Sequence, residues 1–452
     1  MATKRINISG GGDRLSAAAI AENFGDLHPP LSVAQAVVDA ARCIYCYDAP
    51  CVAACPTGIN IPTFIHQIRS GNLDGSARTI LSANIMGGTC ARACPTEVLC
   101  EGACVVNHTE GAPVKIGLLQ RHAVDHLMAK GGEHPFKRAQ ESGLRLAVIG
   151  AGPAGLSFAH RASMLGHKAT VFERDEKPGG LNEYGLAAYK MVDDFAQREV
   201  AFLLGIGGID IKTGKALGEN LALDDLRKEY DAVFIGAGLT RPARLDAPGV
   251  KFKGVRDALD FINEIRRARD KSKVAVGRDV VVIGGGNTAI DAAVQAKRLG
   301  AENVALVYRR GQEQMSATAW EQGLASSNGV VFRHWSAPIA FTGEGAVASV
   351  EFARTRLAGG KLVVTDETYA LPCDMALIAI GQELDQRALA GLAVERGKVV
   401  VDATYQTSLP GVYAGGDCIG SGEDLTVQAV EDGKRAAIAV DAALAKRRKG
   451  IA

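Results

Sequence analysis

Cysteine is nearly absent from most of this sequence. Eight of the ten cysteines lie between residues 43 and 104, and elsewhere there are only Cys373 and Cys418. The first residues, MATKRINISGGGDRL, contain no apolar stretch of about 7–15 residues and no cleavage-site pattern, so no secretory signal is predicted. The expected location is the reducing cytoplasm, where disulfides are rare. We predict that the two isolated cysteines are small, buried apolar residues.

A strong net charge and a long apolar run are also missing. Lys+Arg number 51 and Asp+Glu 50, so no field favours nucleic acid or a membrane surface as a partner. No run approaches about 18 consecutive apolar residues, which argues against a transmembrane span. With 47% hydrophobic and 22% charged residues, the 452-residue chain has an ordinary soluble composition. Its length suits about two to four domains.

The cysteine block has the spacing of an iron–sulfur protein. Its two halves read C-x2-C-x4-C-x3-C-P and C-x3-C-P-x4-C-x3-C. Short steps that end in Cys-Pro let a loop deliver several thiolates to one inorganic core. A disulfide framework would need an oxidising compartment. A structural zinc site usually has four ligands in paired C-x2-C steps, whereas this block has one such step and too many cysteines for one zinc.

The residues alone leave the ligand sets incomplete. In two-cluster ferredoxins the cysteine before proline serves the other cluster. By that rule one cluster begins with Cys43, Cys46 and Cys51 and could close with Cys104, and the other begins with Cys55 and continues with Cys94 and Cys100. Cys90 is then spare. The second cluster lacks one ligand, so a non-cysteine ligand downstream is implied.

The pattern of apolar residues changes near residue 140. Residues 1–138 contain helical segments such as SVAQAVVDAAR and IPTFIHQIRSG, and 130–138 form a polar linker with Gly and Pro. Beyond it, short strand-like runs alternate with helical segments, which favours parallel α/β domains. The runs are LRLAVIG, ATVFE, YDAVFIG, RDVVVIGG, NVALVYRR, MALIAIG and GVYAGG.

The first nucleotide-binding pattern follows LRLAVIG. Gly150, Gly152 and Gly155 form G-x-G-x-x-G between a strand and a helix. These glycines permit the tight turn, the approach of backbone to pyrophosphate and close helix–strand packing. Glu173 ends the next strand, where a carboxylate can accept the ribose hydroxyls. The context of strand, helix and acid makes this a dinucleotide site.

The second pattern follows RDVVVIGG. Here Gly284, Gly286 and Ala289 occupy the fingerprint, and the next strand ends in Arg309 and Arg310 instead of an acid. Arginine at that place suits a 2′-phosphate, which favours NADPH over NADH; the less favoured alternative is an exposed, solvated pair.

A third feature lies near the C-terminus. TSLPGVYAGGDCIG supplies a turn of small residues at Gly415 and Gly416, followed by Asp417. The carboxylate could bind the ribityl hydroxyls of a flavin. Thr426 and Val427 start the last helix, whose dipole could stabilise negative charge on a reduced flavin ring.

Several motifs together resemble the two-dinucleotide-domain flavoprotein reductases: GAGPAG, KPGGL (177–181), GGGNTA and GVYAGGD. The cysteine segments CIYCYDAPCVAACPTGINIPTFI and CARACPTEVLCEGACV narrow this to the glutamate synthase small subunit and dihydropyrimidine dehydrogenase group. They look most like the NAD(P)H-oxidising part of dihydropyrimidine dehydrogenase in its separate bacterial form. The resemblance covers roughly residues 35–445.

The resemblance implies an α/β fold. A helical iron–sulfur domain (1–138) would precede an FAD-binding domain (139–243 and 372–452), into which an NAD(P)-binding domain (244–371) is inserted. Both dinucleotide domains would be Rossmann-like.

The resemblance also implies the cofactor-binding residues. Two [4Fe–4S] clusters would be held by Cys43, Cys46, Cys51 and Cys104 and by Cys55, Cys94, Cys100 and Gln120. FAD contacts would fall on Gly150, Gly152, Pro153, Ala154, Gly155, Glu173, Gly180, Leu181, Lys190, Gly416, Asp417, Thr426 and Val427. NAD(P)H contacts would fall on Gly285, Gly286, Asn287, Thr288, Arg309, Arg310, Ala379 and Gly381. NADPH-using relatives often carry a basic residue shortly after the arginine pair, where this chain has Ser316, so the preference between NADH and NADPH stays open.

The function implied is electron input. Hydride would pass from NAD(P)H to FAD with no obligatory acid–base residue, so no catalytic side chain is predicted. Electrons would then go through the clusters to a partner subunit that carries FMN and further iron–sulfur centres and reduces uracil or thymine to 5,6-dihydropyrimidines. The alternative is a glutamate synthase small subunit, which the resemblance disfavours because those relatives lack a counterpart of Cys90. Two further hypotheses are a reductase that serves a small electron carrier and a redox-sensing protein with vestigial cofactor sites.

Overall fold

The computed structural model describes residues 15–239, 241–385, 389–420 and 422–448. Residues 1–14 of the predicted helical domain therefore lie outside the described residues.

The described N-terminal part, up to residue 130, is helical. Ser32 and Gln35 form a capping box, and Asn60 and Asn72 accept hydrogen bonds at two other helix starts. The helices are α1 (Ala17–Asn23), α2 (Val33–Ala40), α3 (Pro50–Ala53), α4 (Ile61–Arg69), α5 (Leu73–Ala83), α6 (Gly87–Ala93), α7 (Val105–Glu110) and α8 (Ile116–Lys130).

Strands and helices alternate from residue 145 to 235. The elements are β1 (Arg145–Ile149), α9 (Pro153–Met164), β2 (Lys168–Phe172), α10 (Leu181–Tyr184), α11 (Phe195–Leu204), β3 (Ile209–Lys212), α12 (Leu223–Glu229) and β4 (Ala232–Ile235).

The remaining elements begin at residue 241. They are β5 (Arg241–Pro242), β6 (Val255–Asp257), α13 (Ala258–Arg267), β7 (Asp279–Ile283), α14 (Asn287–Arg298), β8 (Asn303–Val307), α15 (Ala319–Ser327), β9 (Val331–Arg333), β10 (Ser336–Gly343), β11 (Val347–Ala358), β12 (Lys361–Pro372), β13 (Met375–Ile378), β14 (Gln382–Glu383), β15 (Val394–Glu395), β16 (Lys398–Val399), β17 (Val412–Ala414) and α16 (Thr426–Arg448).

Two parallel five-stranded sheets carry the nucleotide loops. Their strand orders are β17-β4-β1-β2-β3 and β6-β13-β7-β8-β9, with β1 and β7 at the centre. Each central strand is buried along its last four residues, as expected for a sheet covered on both faces. The loops that follow β1 and β7 therefore open at the carboxyl edge of their sheets, where α/β folds bind ligands.

A third sheet was not predicted from the sequence. β10, β11 and β12 form an antiparallel meander, and Gly359 and Gly360 make the turn between the two long strands with φ of 58° and 77°. Two consecutive glycines with positive φ are typical of a tight hairpin turn.

The chain divides into two compact units. The described residues of the first unit fall in Met1–Leu27, Tyr184–Val192 and Arg241–Glu383, and those of the second in His28–Glu183, Asp193–Thr240 and Leu384–Ala452. α1 lies in the first unit, where Ile20 and Phe24 belong to the same buried core as Tyr189 and Phe261. In the second unit, the core joins the cysteine-bearing helices to β1, α9 and α16.

Among the described helices, none combines the length and apolarity needed to cross a bilayer.

Candidate cofactor sites

The loop after β1 leaves room for a ligand beside its backbone. Gly150 has a φ of 93°, and a Cβ on Gly155 would lie only 1.9 Å from Gly150 O. A Cβ on Gly152 would meet no atom nearer than Gly180 Cα at 3.9 Å, so this side of the loop is open. α9 begins at Pro153 and directs its positive dipole end toward the loop. These features fit a pyrophosphate group.

Glu173 stands directly after β2 and is 6% exposed. Its Oε2 accepts a hydrogen bond from Ala151 N at 2.6 Å, and its Oε1 accepts one from Asp175 N at 2.8 Å. Burial raises the pKa of the Glu173 carboxyl, and these two hydrogen bonds oppose that rise. Each carboxylate oxygen keeps a lone pair, so the group can still accept ribose hydroxyls.

The KPGGL segment lies against the same loop. Gly179 N donates to Ala151 O at 2.8 Å, and a Cβ on Gly180 would lie 2.8 Å from Gly152 Cα. Leu181, at the start of α10, is 39% exposed. Two separate parts of the predicted FAD set therefore meet in the structure.

The turn after β17 also reaches this loop. A Cβ on Gly416 would lie 2.9 Å from Ala154 Cβ, and the φ of Gly416 is 75°. Gly416 N donates to Asp432 Oδ2 at 3.0 Å. Asp432 is fully buried and also accepts from Tyr405 Oη and Gln428 Nε2, so it fixes the turn. Sequence reasoning missed Asp432, although an aspartate within the apolar face of a helix could have indicated it.

Asp417 and the first residues of α16 complete the predicted FAD set. Burial, followed by the charge of Asp424, raises the pKa of Asp417 to about 6. A carboxylate that is costly to ionise needs hydrogen-bond donors, and a ribityl chain would supply them. Thr426 Oγ1 donates to Asn182 Oδ1 at 3.0 Å, and Val427 is buried.

Lys190 was also predicted as an FAD contact. It belongs to the first unit, where its ammonium contacts Asp291 at 2.8 Å and Glu321 at 2.5 Å. Burial lowers the pKa of Lys190, but the two carboxylates outweigh this effect and raise the pKa above its usual value. Its assignment as an FAD contact stays a prediction.

The loop after β7 repeats the design in the first unit. Gly284 has a φ of 152°, and a Cβ there would lie 2.1 Å from Ala379 O. A Cβ on Gly285 would lie 2.4 Å from the Tyr308 ring. Asn287, the first residue of α14, has a buried Oδ1 with no hydrogen-bond partner among the described residues. An unsatisfied buried acceptor beside a glycine loop fits a nucleotide that donates a hydrogen bond.

The arginine pair follows β8 as predicted. Arg309 is exposed, Arg310 is half-buried, and neither side chain has an ion pair in the described part of the chain. A Cβ on Gly286 would lie 3.2 Å from Ser316 Oγ, which places that hydroxyl at the loop. Ala379 and Gly381 follow β13, the neighbour of β7, and a Cβ on Gly381 would meet nothing within 4 Å. Thr288 lies in the first turn of α14.

The first set of thiols converges in the second unit. Cys43, Cys46, Cys51 and Cys104 line one small cavity together with apolar side chains. Burial, and then the neighbouring Cys104 and Cys43, raise the pKa of Cys51 to about 11. Such closely packed thiols resist ionising together unless a cationic core compensates their charge. This donor set fits an iron–sulfur cluster.

The second set also gathers in that unit. A hydrogen bond with Cys90 comes first among the causes that raise the pKa of Cys94, followed by burial and by the charges of Cys90, Cys100 and Cys55. The pKa of Cys100 is raised well above its usual value by burial and then by Glu101. Cys90, the spare cysteine, is 3% exposed, and its hydrogen bond with Cys94 places it beside this second thiol set.

Gln120 lies on α8 and is 7% exposed. Its Nε2 donates to Gly87 O at 2.7 Å, at the start of α6, the helix that leads to Cys94. This hydrogen bond holds the Gln120 side chain against α6, beside the second thiol set. Its ligation of a cluster stays a prediction.

Disulfides and a mononuclear metal site gain no support as roles for the cysteines. All ten cysteines are free thiols. In the described chain, no group of three or more His, Cys, Asp or Glu side chains is placed to hold a metal ion. A [4Fe–4S] core is larger than one ion and takes its thiolates around a wider space. Cys373 and Cys418 are 4% and 0% exposed, which confirms that they are buried residues.

An unpredicted polar cluster ties α6 to α11. Thr89 donates from its backbone N to Glu199 Oε1 at 2.9 Å and from its hydroxyl to the other oxygen. Arg92 donates to both oxygens of Asp125 at 2.8 Å, and its guanidinium lies 3.5 Å from the centroid of the Phe195 ring. These contacts anchor the helix that precedes Cys94 to the helix that follows the KPGGL segment.

Two family models match the chain. Residues 144–433 match the pyridine nucleotide-disulphide oxidoreductase model, and residues 20–132 match dihydropyrimidine dehydrogenase domain II, 4Fe-4S cluster. The first implies binding of FAD and NAD(P)H and the second a 4Fe–4S cluster, which agrees with the glycine loops and thiol sets above.

Curated relatives include both predicted groups. The glutamate synthase [NADPH] small chain of Escherichia coli (strain K12) is 33% identical over 439 residues, covering 92% of each chain. The NAD-dependent dihydropyrimidine dehydrogenase subunit PreT of the same organism is 32% identical over 420 residues, covering 93% of this chain and 97% of PreT. The predicted resemblance is confirmed. The expectation that the glutamate synthase relatives would be less similar is not supported by these identities.

The solved structure of Mycobacterium tuberculosis FprA in complex with NADPH has the same fold over much of the chain. Its TM-score is 0.58 at 19% identity, covering 68% of this chain and 86% of FprA.

Proposed function

The chain belongs to the pyridine nucleotide-disulphide oxidoreductase family, and from this premise we propose that it is the electron-input subunit of a dihydropyrimidine dehydrogenase. It is an NAD(P)H-dependent flavin and iron–sulfur oxidoreductase subunit. The proposal adds two [4Fe–4S] clusters, the predicted ligand residues and a partner that reduces uracil or thymine. One observation carries it: both thiol sets share a compact unit with the FAD loop. Clusters beside a flavin site are useful only if electrons leave for a distant acceptor.

The residues of the chain act by binding and positioning. When bound, FAD would accept a hydride from the nicotinamide, and the clusters would carry single electrons. The open backbone at Gly152 and the carboxylate of Glu173 orient the dinucleotide in the second unit. The loop at Gly285 and Asn287 holds the nicotinamide nucleotide in the first. No side chain needs to move a proton for the hydride step.

The domain arrangement is part of this proposal. We infer that the NAD(P)-binding domain, predicted at 244–371, is inserted in the FAD-binding domain. The division of the chain supports this, because Arg241–Glu383 belongs to one unit, whereas the segments on either side of it, Asp193–Thr240 and Leu384–Ala452, belong to the other.

A glutamate synthase small subunit is the second candidate, because the relative of that name is as similar as PreT. Co-expression with each kind of partner separates the two. We expect the chain to co-purify with a pyrimidine-reducing subunit, and co-purification with a glutamate synthase large subunit would select the second candidate.

The proposed activity is tested with anaerobically purified chain. We expect NADH or NADPH oxidation with an artificial dye, no consumption of uracil by the chain alone, and uracil reduction after the partner subunit is added. A Gly155→Ala variant is the matched control, because its Cβ would lie 1.9 Å from Gly150 O and should prevent FAD binding. Uracil reduction by the lone chain would contradict the proposal.

A further inference from the structure

A lysine of the terminal helix reaches the second cysteine set. Lys434 lies on α16, eight positions after Thr426, which corresponds to about 12 Å along the helix axis. Its Nζ donates to Ala83 O at 2.8 Å and to Thr57 O at 3.3 Å. The helix whose first residues are predicted to face the flavin therefore also binds the loop that follows Cys55.

Thr57 connects this lysine to a predicted ligand. Its Oγ1 lies 3.3 Å from Cys55 Sγ, and the residue is 5% exposed. A coordinating thiolate has no proton to donate, so in a loaded site the hydroxyl must be the donor. A hydrogen bond to a cluster sulfur, like a nearby positive charge, stabilises the reduced and more negative state.

The charge of Lys434 is largely shielded from solvent. Its side chain is 15% exposed, and its ion-pair partner Glu431, at 2.5 Å, is 16% exposed. Burial lowers the pKa of Arg161, and the nearby charge of Glu431 opposes this effect. The Arg161 guanidinium donates a hydrogen bond to Ser82 O at 2.9 Å. The group thus carries two positive charges and one negative charge with little screening by water.

We propose that Thr57 and Lys434 set the reduction potential of the iron–sulfur centre bound through Cys55. The inference rests on the proposed function in requiring a cluster there. Removing the positive charge should make that cluster harder to reduce, whereas removing the negative charge of Glu431 should make it easier to reduce. The cluster of Cys43, Cys46, Cys51 and Cys104 should be unaffected by either change.

The test is an EPR-monitored redox titration of both clusters in the full chain. For Lys434→Met we expect the reduced-to-oxidised ratio of the Cys55 cluster at a fixed potential to fall about tenfold, which is about 59 mV for one electron. Thr57→Val should change it in the same direction by a smaller factor. Lys446→Met is the matched control, since it makes the same change at an exposed position of α16 and should leave both potentials unaltered.

Glu431→Gln gives the opposite sign and separates electrostatics from damage. We expect the reduced-to-oxidised ratio of its Cys55 cluster to rise about threefold at the same potential. Iron and sulfide content should equal those of the wild type in every variant. Unshifted potentials with both clusters assembled, or equal shifts of the two clusters, would overturn the inference alone. A wild-type chain without clusters would overturn the proposed function instead.

Discussion

In each nucleotide-binding sheet, the strand next to the glycine loop is followed by charged residues, and the sign of the charge differs between the two sheets. Glu173 follows β2 and already holds two backbone N–H groups, whereas Arg309 and Arg310 follow β8 and have no ion pair in the described chain. A carboxylate accepts hydrogen bonds from ribose, and a guanidinium donates to phosphate. The residues at these two positions therefore suit different nucleotides.

We predict that the double change Arg309→Ala, Arg310→Ala affects NADPH selectively. Each lost charge-assisted hydrogen bond is worth about 1.5–3 kcal/mol, so the KM for NADPH should rise at least about tenfold. The KM for NADH should change less than about twofold, and kcat should stay the same. Arg356→Ala, at an exposed position of β11, is the control. An equal rise of both KM values would show that the pair does not contact a 2′-phosphate.

The residue patterns predicted the glycine loops after β1 and β7 because several of their glycines have a local steric reason to be there. Gly150, Gly155 and Gly284 stand where a Cβ would clash with backbone. Asp432 and Glu199 could not be predicted in the same way. Their partners are distant in sequence or lie on another helix, so only the packed structure identifies them.

At the scale of elements, each of the seven strand-like runs overlaps a strand of the structure. Buried parallel strands are short and continuously apolar, which makes them recognisable. The meander of β10, β11 and β12 was missed because its strands are partly exposed and their pattern is mixed. The Gly359–Gly360 pair was the available signal for its hairpin.

The contact between α6 and α11 predicts a pH effect on stability. Burial raises the pKa of Glu199 from 4.5 to about 7, so the folded state binds this proton more tightly than the unfolded chain. Proton binding by Glu199 therefore adds on the order of 3 kcal/mol to the free energy of unfolding below about pH 4.5. This contribution is lost as pH rises through 7. We expect the Tm of the wild type to fall relative to that of Glu199→Gln between about pH 5 and 7.5.

Glu229→Gln, at an exposed position of α12, is the control for that measurement and should keep the wild-type pH profile. Parallel Tm curves for the wild type and Glu199→Gln over the whole range would contradict the assignment of a buried, protonated carboxyl to this contact.

At the scale of the whole molecule, the division into units was only partly accessible from sequence. The change from helices to alternating strands and helices near residue 140 is visible in the pattern. α1, however, lies in the first unit, because Ile20 and Phe24 complete a core formed by residues far along the chain. Periodicity shows which face of a helix is apolar but not which core receives it.

Under the proposed function, the parts of the chain account for electron input alone. One unit contains a nucleotide loop, the other contains a second loop with two thiol sets, and the predicted roles of these parts end at the clusters. The sequence predicts no catalytic side chain for a substrate. Specificity for a pyrimidine would therefore reside in the partner.

The most direct test is the cofactor content of the anaerobically purified chain. The account predicts a coloured protein with about eight iron atoms, about eight acid-labile sulfides and about one FAD per chain. A colourless protein that contains neither iron nor sulfide would contradict it.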